Sequence, residues 1–317
     1  MNQQPAKSGI ARMGIDIGKS VFHVVGLDAA GKPVFRSRFT RDRLLEFLAR
    51  TAPTVVGMEA CPGSNWLARK AALYGHDARI VPAQFVKPFV KSNKTDIVDA
   101  EAIAEAVSRP TMRFTPPKTE AQLDLQALHR VRQRLISSKT AIINQARAFL
   151  LEYGLTISVG AAYFVRDMPS ILSDEQNGLT PSMRRLLEEL WQEYRSVEAR
   201  LLQLRHQIES IASADDAATR LTSVPGIGQL TATAITAFAG TGTQFKSGRH
   251  LASLARACAK GIFNGREAAP PRYQQTWESI SAQAACSRRS FLCPASRPDE
   301  GPPWGLDKRY GSEGDTP

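Results

Sequence analysis

The chain has 317 residues, and its 41 Lys and Arg against 30 Asp and Glu give a net charge of +11. That length suffices for two or three domains; the basic excess is typical of a protein whose partner carries a phosphate backbone, although an Arg-favouring genome gives the same excess. No run of 18 apolar residues exists, so no membrane-spanning helix is expected.

The N-terminal Met-Asn-Gln-Gln-Pro-Ala-Lys segment has no apolar signal core. Cys61, Cys258, Cys286 and Cys293 have no metal-ligand spacing and read as reduced thiols of a cytoplasmic protein.

In chain order, Ile10–Gly18 reads as a short apolar strand with Asp16 embedded in it. A charge there is costly unless it is paired or holds a cation. Val21–Leu27 and Val34–Phe39 complete a three-strand meander, with a turn at Gly31-Lys32. Arg41–Arg50 has helical spacing at Leu44, Leu45 and Leu48. Thr54–Met58 is a fourth strand ending at Glu59, Asn65–Leu73 a helix and Asp77–Val81 a fifth strand. This β-β-β-α-β-α-β-α order is the ribonuclease-H-like pattern, a mixed sheet with helices on its faces.

Lys94–Ala100 reads Lys-Thr-Asp-Ile-Val-Asp-Ala and opens an alanine-rich helical pattern. Asp96 and Asp99 share one helix face at i and i+3. Taken alone, the pair reads as N-terminal capping by Asp96. Together with Asp16 and Glu59 it makes four acids on three elements, a set that repels itself without a counter-ion. Hard oxygen donors suit Mg²⁺ or Mn²⁺, and two such ions promote substitution at phosphorus. A second reading takes Asp16-Ile17-Gly18-Lys19 as the first phosphate loop of an actin-like sugar kinase. The second Gly-rich loop that such kinases need is missing before Arg109.

Pro110–Lys118 is Pro-rich and marks a boundary. Thr119–Tyr153 is helical, with Leu128, Leu135, Ile142 and Phe149 seven residues apart. Arg130, Arg132, Arg134, Lys139 and Arg147 give it a basic face, either merely solvated or phosphate-contacting. Gly154–Gly178 reads as an irregular connection. A second long helix runs from Pro181 to Ala212. Leu187, Tyr194, Leu201 and Ile208 form one heptad series there, and Leu190, Val197, Leu204 and Ile211 the other. This is a coiled-coil seam, formed with the first long helix or with another subunit. Val224-Pro-Gly-Ile-Gly228 lies between two short apolar helices. It reads as a helix-hairpin-helix that grips phosphates by its backbone, or as an ordinary packing corner.

Gly14-Ile-Asp-Ile-Gly-Lys19, Met58-Glu-Ala60, Lys94–Ala100, the long helices, Val224–Gly228 and Phe245-Lys-Ser-Gly-Arg249 occur in this order. As a set they resemble the DEDD transposases of insertion sequences, the family often called insertion sequence one-ten with its eleven-eleven subgroup. The resemblance covers roughly residues 10–252. It implies an N-terminal domain like the Holliday-junction resolvase RuvC, with Asp16, Glu59, Asp96 and Asp99 as catalytic ligands of Mg²⁺ (or Mn²⁺). It implies DNA as substrate, a structured guide RNA from the element, and a homo-oligomer joined through the coiled coil. The candidate nucleic-acid contacts are Pro225, Gly226, Gly228, Lys246, Arg249, Arg130 and Arg134.

The expected organisation is α/β. A RuvC-like mixed-sheet domain spans 10–115, long coiled-coil helices span 116–215, and a truncated helix-hairpin-helix transposase domain spans 216–260. The remaining 261–317 is expected to be disordered.

After about Ala252 the family's Trp-Leu-Gly-Leu, Ser/Thr-Gly-Gly and Gly-Ile-Ser-Lys-Arg-Gly motifs are missing. Permitted codons for Leu254–Glu267, read one base later, spell Trp-Leu-Gly-Leu-Val-Pro-Lys-Glu-Tyr-Ser-Thr-Gly-Gly. The same operation on Ala268–Cys286 recovers Gly-Ile-Ser-Lys-Arg-Gly. A frameshift is therefore expected, with loss of the serine that the resemblance implies attacks DNA. Neither Ser247 nor Ser253 matches a nucleophile motif.

Overall fold

The computed structural model describes residues 9–89, 95–240, 242, 245 and 247–250. Lys94, Lys246, Ser253, Cys258, Cys286, Cys293 and the expected disordered segment 261–317 lie outside the described residues.

Strands β1 (Arg12–Ile17), β2 (Phe22–Leu27), β3 (Pro33–Phe39), β4 (Val55–Glu59) and β5 (Asp77–Val81) form one sheet in the order β3-β2-β1-β4-β5. The first three are antiparallel neighbours, as the meander reading expects, and β4 and β5 run parallel to β1. Alternation along each strand divides the sheet into two faces. Met13, Ile15, Val24, Val56 and Met58 pack with Leu44 and Leu48 of α1 (Arg41–Arg50) and Leu67 and Ala71 of α2 (Ser64–Leu73). A short helix α3 (Ala83–Val86) and a 3-10 turn (Lys87–Phe89) follow β5.

The opposite face receives α4 (Asp96–Ala106) through small residues. A Cβ on Gly14 would lie closer than 3.0 Å to the Ala100 carbonyl oxygen and the Ala104 amide nitrogen, and one on Gly57 would strike Val107. Ala100 and Ala104 are fully buried against Val25 and Leu27. Glycine beneath and alanine above let the helix backbone rest almost directly on β1. Arg36 of β3 adds an ion pair to Glu101 at 2.7 Å.

The linker after α4 is non-helical, as read, but tied down. Thr115 bridges to Ile80 of β5, the Lys118 amide donates to Asn65 Oδ1 at 2.9 Å, and Arg69 donates to the Lys118 carbonyl. Helix α5 (Glu120–Leu151) then starts with a reciprocal capping box between Thr119 and Gln122. It packs along α7 (Pro181–Ala214), burying Leu135, Ile142, Ala146 and Leu150 against Leu187, Tyr194 and Val197. The two long helices thus pair within one chain.

The irregular connection expected at Gly154–Gly178 is corrected. Ala161–Ser173 forms helix α6, with Phe164 and Met168 fully buried at i and i+4. Phe164 packs edge-on against Tyr194 (5.1 Å between centroids) and Trp191 (5.8 Å). Pro169 interrupts its hydrogen-bond ladder. Burial of the aromatic cluster outweighs that local loss.

Helices α8 (Asp216–Thr222) and α9 (Gln229–Ala239) form a tight pair around Ile227 and Leu221. Helix α9 docks on α5 through buried polar groups. Gln126 donates to the Ala237 carbonyl at 2.7 Å, and His129 Nε2 lies 3.1 Å from Thr233 Oγ1. The Thr233 hydroxyl donates to the Gln229 carbonyl. His129 Nε2 therefore carries the proton, and Nδ1 is buried without a partner. Burial, then the nearby Arg132 charge, holds the imidazole pKa down at about 4.

Two outcomes follow from this packing. Gly14→Ala is expected to destabilise the sheet domain by about 1–3 kcal/mol, read by urea unfolding of the full chain. For His129, the folded-state value lies below the free value of 6.5. Its contribution to stability is intact above pH 6.5 and is lost as pH falls toward 4. Hydrogen exchange of the α9 amides should show the α5–α9 contact loosening over that range, and His129→Gln should flatten the dependence.

Candidate metal centre and nucleic-acid interface

Two of the four acids, Asp16 and Asp96, meet with His23 where α4 begins over the sheet, and Asp99 and Glu59 act on the Asp16 charge from outside that cluster. Asp16 lies two residues after Gly14 and Glu59 two after Gly57, so both carboxylates face α4. Parallel pairing of Ile15 with Met58 makes their strands neighbours at this level. Asp96 and Asp99 lie in the first turn of α4.

Capping by Asp96 is corrected. Thr95 is the cap, its hydroxyl accepting from the Val98 amide at 3.4 Å and its carbonyl from the Asp99 amide at 3.0 Å. Both aspartates are thereby left without a capping duty. They also sit at the favourable end of the helix dipole.

The site is electrostatically crowded. Burial first, then Asp96 and Asp99, raise the pKa of Asp16; His23 opposes the rise, and Glu59 adds to it. The half-buried Cys61 thiol is raised by burial, then by Glu59 and Asp16. Asp16 thus feels the charge of the other three acids, and Cys61 that of two of them.

Sequence reasoning missed His23. It stands directly opposite Asp16 in the β1–β2 hairpin. Its Nδ1 lies 4.0 Å from Asp16 Oδ2 and 3.6 Å from Asp96 Oδ2. The three side chains each offer one ligand atom within 4.8 Å of the others. The signal was present: a hairpin closed at Gly18–Val21 pairs residue 16 with residue 23. This donor set, carboxylate oxygens around a half-buried and self-repelling centre, fits a divalent cation.

The second feature lies on the long helices. A groove of 870 Å³ between α5, α6 and α7 is lined by Arg132, Lys139, Arg147, Arg195 and Arg205, with Glu198 its one acid. Lys139 already pairs with Glu198 at 2.6 Å. Burial and the nearby Arg205 lower the pKa of Arg132, and Arg147 Nε is buried without a partner. Arg130 and Arg134 are exposed on α5 and do not line this groove.

At the α8–α9 turn, Gly226 has φ +87°, and Gly228 precedes the first turn of α9 with no side-chain cap. Nothing lies within 4 Å of a Cβ built on Gly228, so this backbone is open to a ligand. Pro225 belongs to the same turn, and Arg249 lies beyond α9.

Neutralising Asp16 should relieve repulsion. Its raised folded-state pKa means that ionisation above the ordinary carboxylate range costs stability, and that protonation relieves the cost. Asp16→Asn should raise the melting temperature of the metal-free protein, by about 2–4 °C for each kcal/mol relieved. Added Mn²⁺ should stabilise the wild type in the same melts and the variant far less.

A sequence profile described as "Transposase" matches residues 13–155, and a second, described as "Transposase IS116/IS110/IS902 family", matches residues 218–266. The second match runs past Ala252, where the motif series stops. The chain is 39% identical over 240 residues to "Transposase for insertion sequence element IS1328" of Yersinia enterocolitica, covering 76% of this chain and 71% of the relative. It is 41% identical over 242 residues to "Transposase for insertion sequence element IS1111A" of Coxiella burnetii, covering 76% and 66%. It is 39% identical over 245 residues to "Probable family 20 transposase" of Pseudomonas aeruginosa, covering 77% and 72%. With both profiles matched in order and such identity over most of its length, the chain belongs to the IS116/IS110/IS902 family of insertion-sequence transposases.

Proposed function

We propose that this chain cuts and joins DNA for an insertion sequence, using a divalent-cation centre held by Asp16, Glu59, Asp96 and Asp99. The observation that carries this reading is the meeting of Asp16 and Asp96 at the start of α4, with Asp16 driven toward protonation by burial first and then by Asp96, Asp99 and Glu59. Bound Mg²⁺ or Mn²⁺ supplies charge neutralisation at the phosphate and a more acidic attacking hydroxyl. The protein's own part is to hold four carboxylates together on a rigid platform. The strand order β3-β2-β1-β4-β5, with helices on both faces, supports a ribonuclease-H-like (RuvC-like) domain.

Nucleic acid is held away from this centre. The amides following Gly226 and Gly228 receive a backbone phosphate at the N-terminus of α9, as in a helix-hairpin-helix. The cationic groove of α5, α6 and α7 holds a further stretch of phosphates. A guide RNA from the element and a multimer are the remaining partners in this reading. Leu186, exposed on α7, offers apolar contact to a second copy. The actin-like kinase reading falls with the family assignment.

One observation favours a second reading, a nucleic-acid-binding relic. The alignments to relatives take in 76–79% of the chain, and permitted codons for the tail can be read one base later as the family's missing motifs. In that reading the nucleophilic serine is lost, and Ser247, exposed at a bend, does not replace it.

Incubation with supercoiled plasmid and Mg²⁺ separates the two. The transposase reading expects nicking that disappears in Asp96→Asn, together with a detergent-stable protein–DNA adduct. The relic reading expects a gel shift, no adduct, and a gene whose codons 250–260 encode Trp-Leu-Gly-Leu in a neighbouring frame.

A further inference from the structure

We propose that His23 is a nitrogen ligand of the cation site and biases that site toward Mn²⁺ over Mg²⁺. The inference rests on the four-acid reading and adds a fifth donor of different chemistry. Three observations carry it.

The first is distance. His23 Nδ1 is 3.6 Å from Asp96 Oδ2 and 4.0 Å from Asp16 Oδ2. Both separations exceed a hydrogen bond. They fall in the range for two donors on one ion: ligand bonds of about 2.1 Å put adjacent octahedral donors about 3.0 Å apart and opposite ones about 4.2 Å apart.

The second is the unmet need of the nitrogen. Nδ1 is shielded from solvent and has no hydrogen-bond partner, and the side chain is only 16% exposed. A buried polar atom left without a partner costs free energy, and a ligand bond removes that cost.

The third is placement. Along β2, Phe22 and Val24 enter the core under α1 and α2, whereas Val25 packs against α4. His23 alternates with the former pair and shares the face of Val25. Cross-strand pairing then sets it directly opposite Asp16. The imidazole is thus aimed at the acids by the sheet register, not by a mobile loop.

The chemical consequence follows from ligand type. Mg²⁺ takes oxygen donors and accepts nitrogen poorly, whereas Mn²⁺, which also suits oxygen donors, is a first-row transition ion and accepts an imidazole more readily than Mg²⁺ does. A centre of carboxylates alone discriminates weakly between Mg²⁺ and Mn²⁺; an imidazole added to it favours Mn²⁺.

The test is pulsed electron paramagnetic resonance on the full chain with one equivalent of Mn²⁺. Nitrogen modulation from a coordinated imidazole is expected, altered on ¹⁵N-histidine labelling and absent in His23→Asn. Among the described residues, His23 is the histidine of the donor cluster, so the labelling result stands without a variant if His23→Asn misfolds. Competition titration should show the Mn²⁺ preference over Mg²⁺ falling at least about tenfold in His23→Asn. Mn²⁺ bound by the wild type without nitrogen modulation would overturn the role of His23 and leave the four-acid site standing. Modulation that persists in His23→Asn would also overturn it. Failure of the chain to bind Mn²⁺, or binding unchanged in Asp16→Asn and Asp96→Asn, would sink both readings.

Discussion

The close seating of α4 on β1 is the constraint on which the candidate site depends. Gly14 and Gly57 remove the side chains that would hold the helix off the sheet. Ala100 and Ala104 remove them from the other side of the contact. The helix N-terminus is brought down to the level of Asp16 and Glu59. A bulkier residue at either glycine lifts the helix, and the acids of α4 rise with it. Little of this contact is strong in itself, since alanine buries little area. Its value is geometric.

The same seating produces the electrostatic tension. Asp16 is taken partly out of water and faced with three further carboxylates. Arrangements of this kind mark functional sites more often than structural ones, because stability alone gives no reason to keep them. Capping by Thr95 sharpens the point. A helix start that already has its cap does not need Asp96 as a cap, which leaves the two aspartates of α4 only their favourable place at the helix dipole.

The helical half is organised differently. Helices α5 and α7 share an apolar seam with an aromatic cluster supplied partly by α6. The α8–α9 pair is fastened to the start of α5 by Gln122, Gln126 and His129, and packs against Ala212 of α7. Buried polar contacts define register but tolerate protonation badly, which makes this joint the acid-sensitive one. On the other side of the seam, basic residues of α5 and α7 converge on a groove with a single acid. Arg147 Nε is buried there without a partner, and burial and the Arg205 charge lower the pKa of Arg132.

Local rules read from the residues accounted for much of this. Period-two alternation and turn residues placed all five strands, and Arg41–Arg50 and Pro181 were found at their true positions. Asp16 was conspicuous as an acid in an apolar strand, and Asp96 as half of an i, i+3 pair at a helix start; the structure brings these two together. Helix α6 was misread because Gly, Ser and Pro169 are local punctuation, whereas its stability comes from Trp191 and Tyr194 more than twenty residues on. His23 was invisible because a lone histidine acquires meaning only from the strand opposite it. Arg132 and Arg147 looked like any basic helix face, and Arg205 was not singled out, until the packing of α5 on α7 chose the side they share. The sequence by itself determined the elements, the acids and the basic character, since these rest on spacings of a few residues. Only the tertiary structure decided which groups meet, because Asp16 and Asp96 are brought together by a helix that sits on glycine.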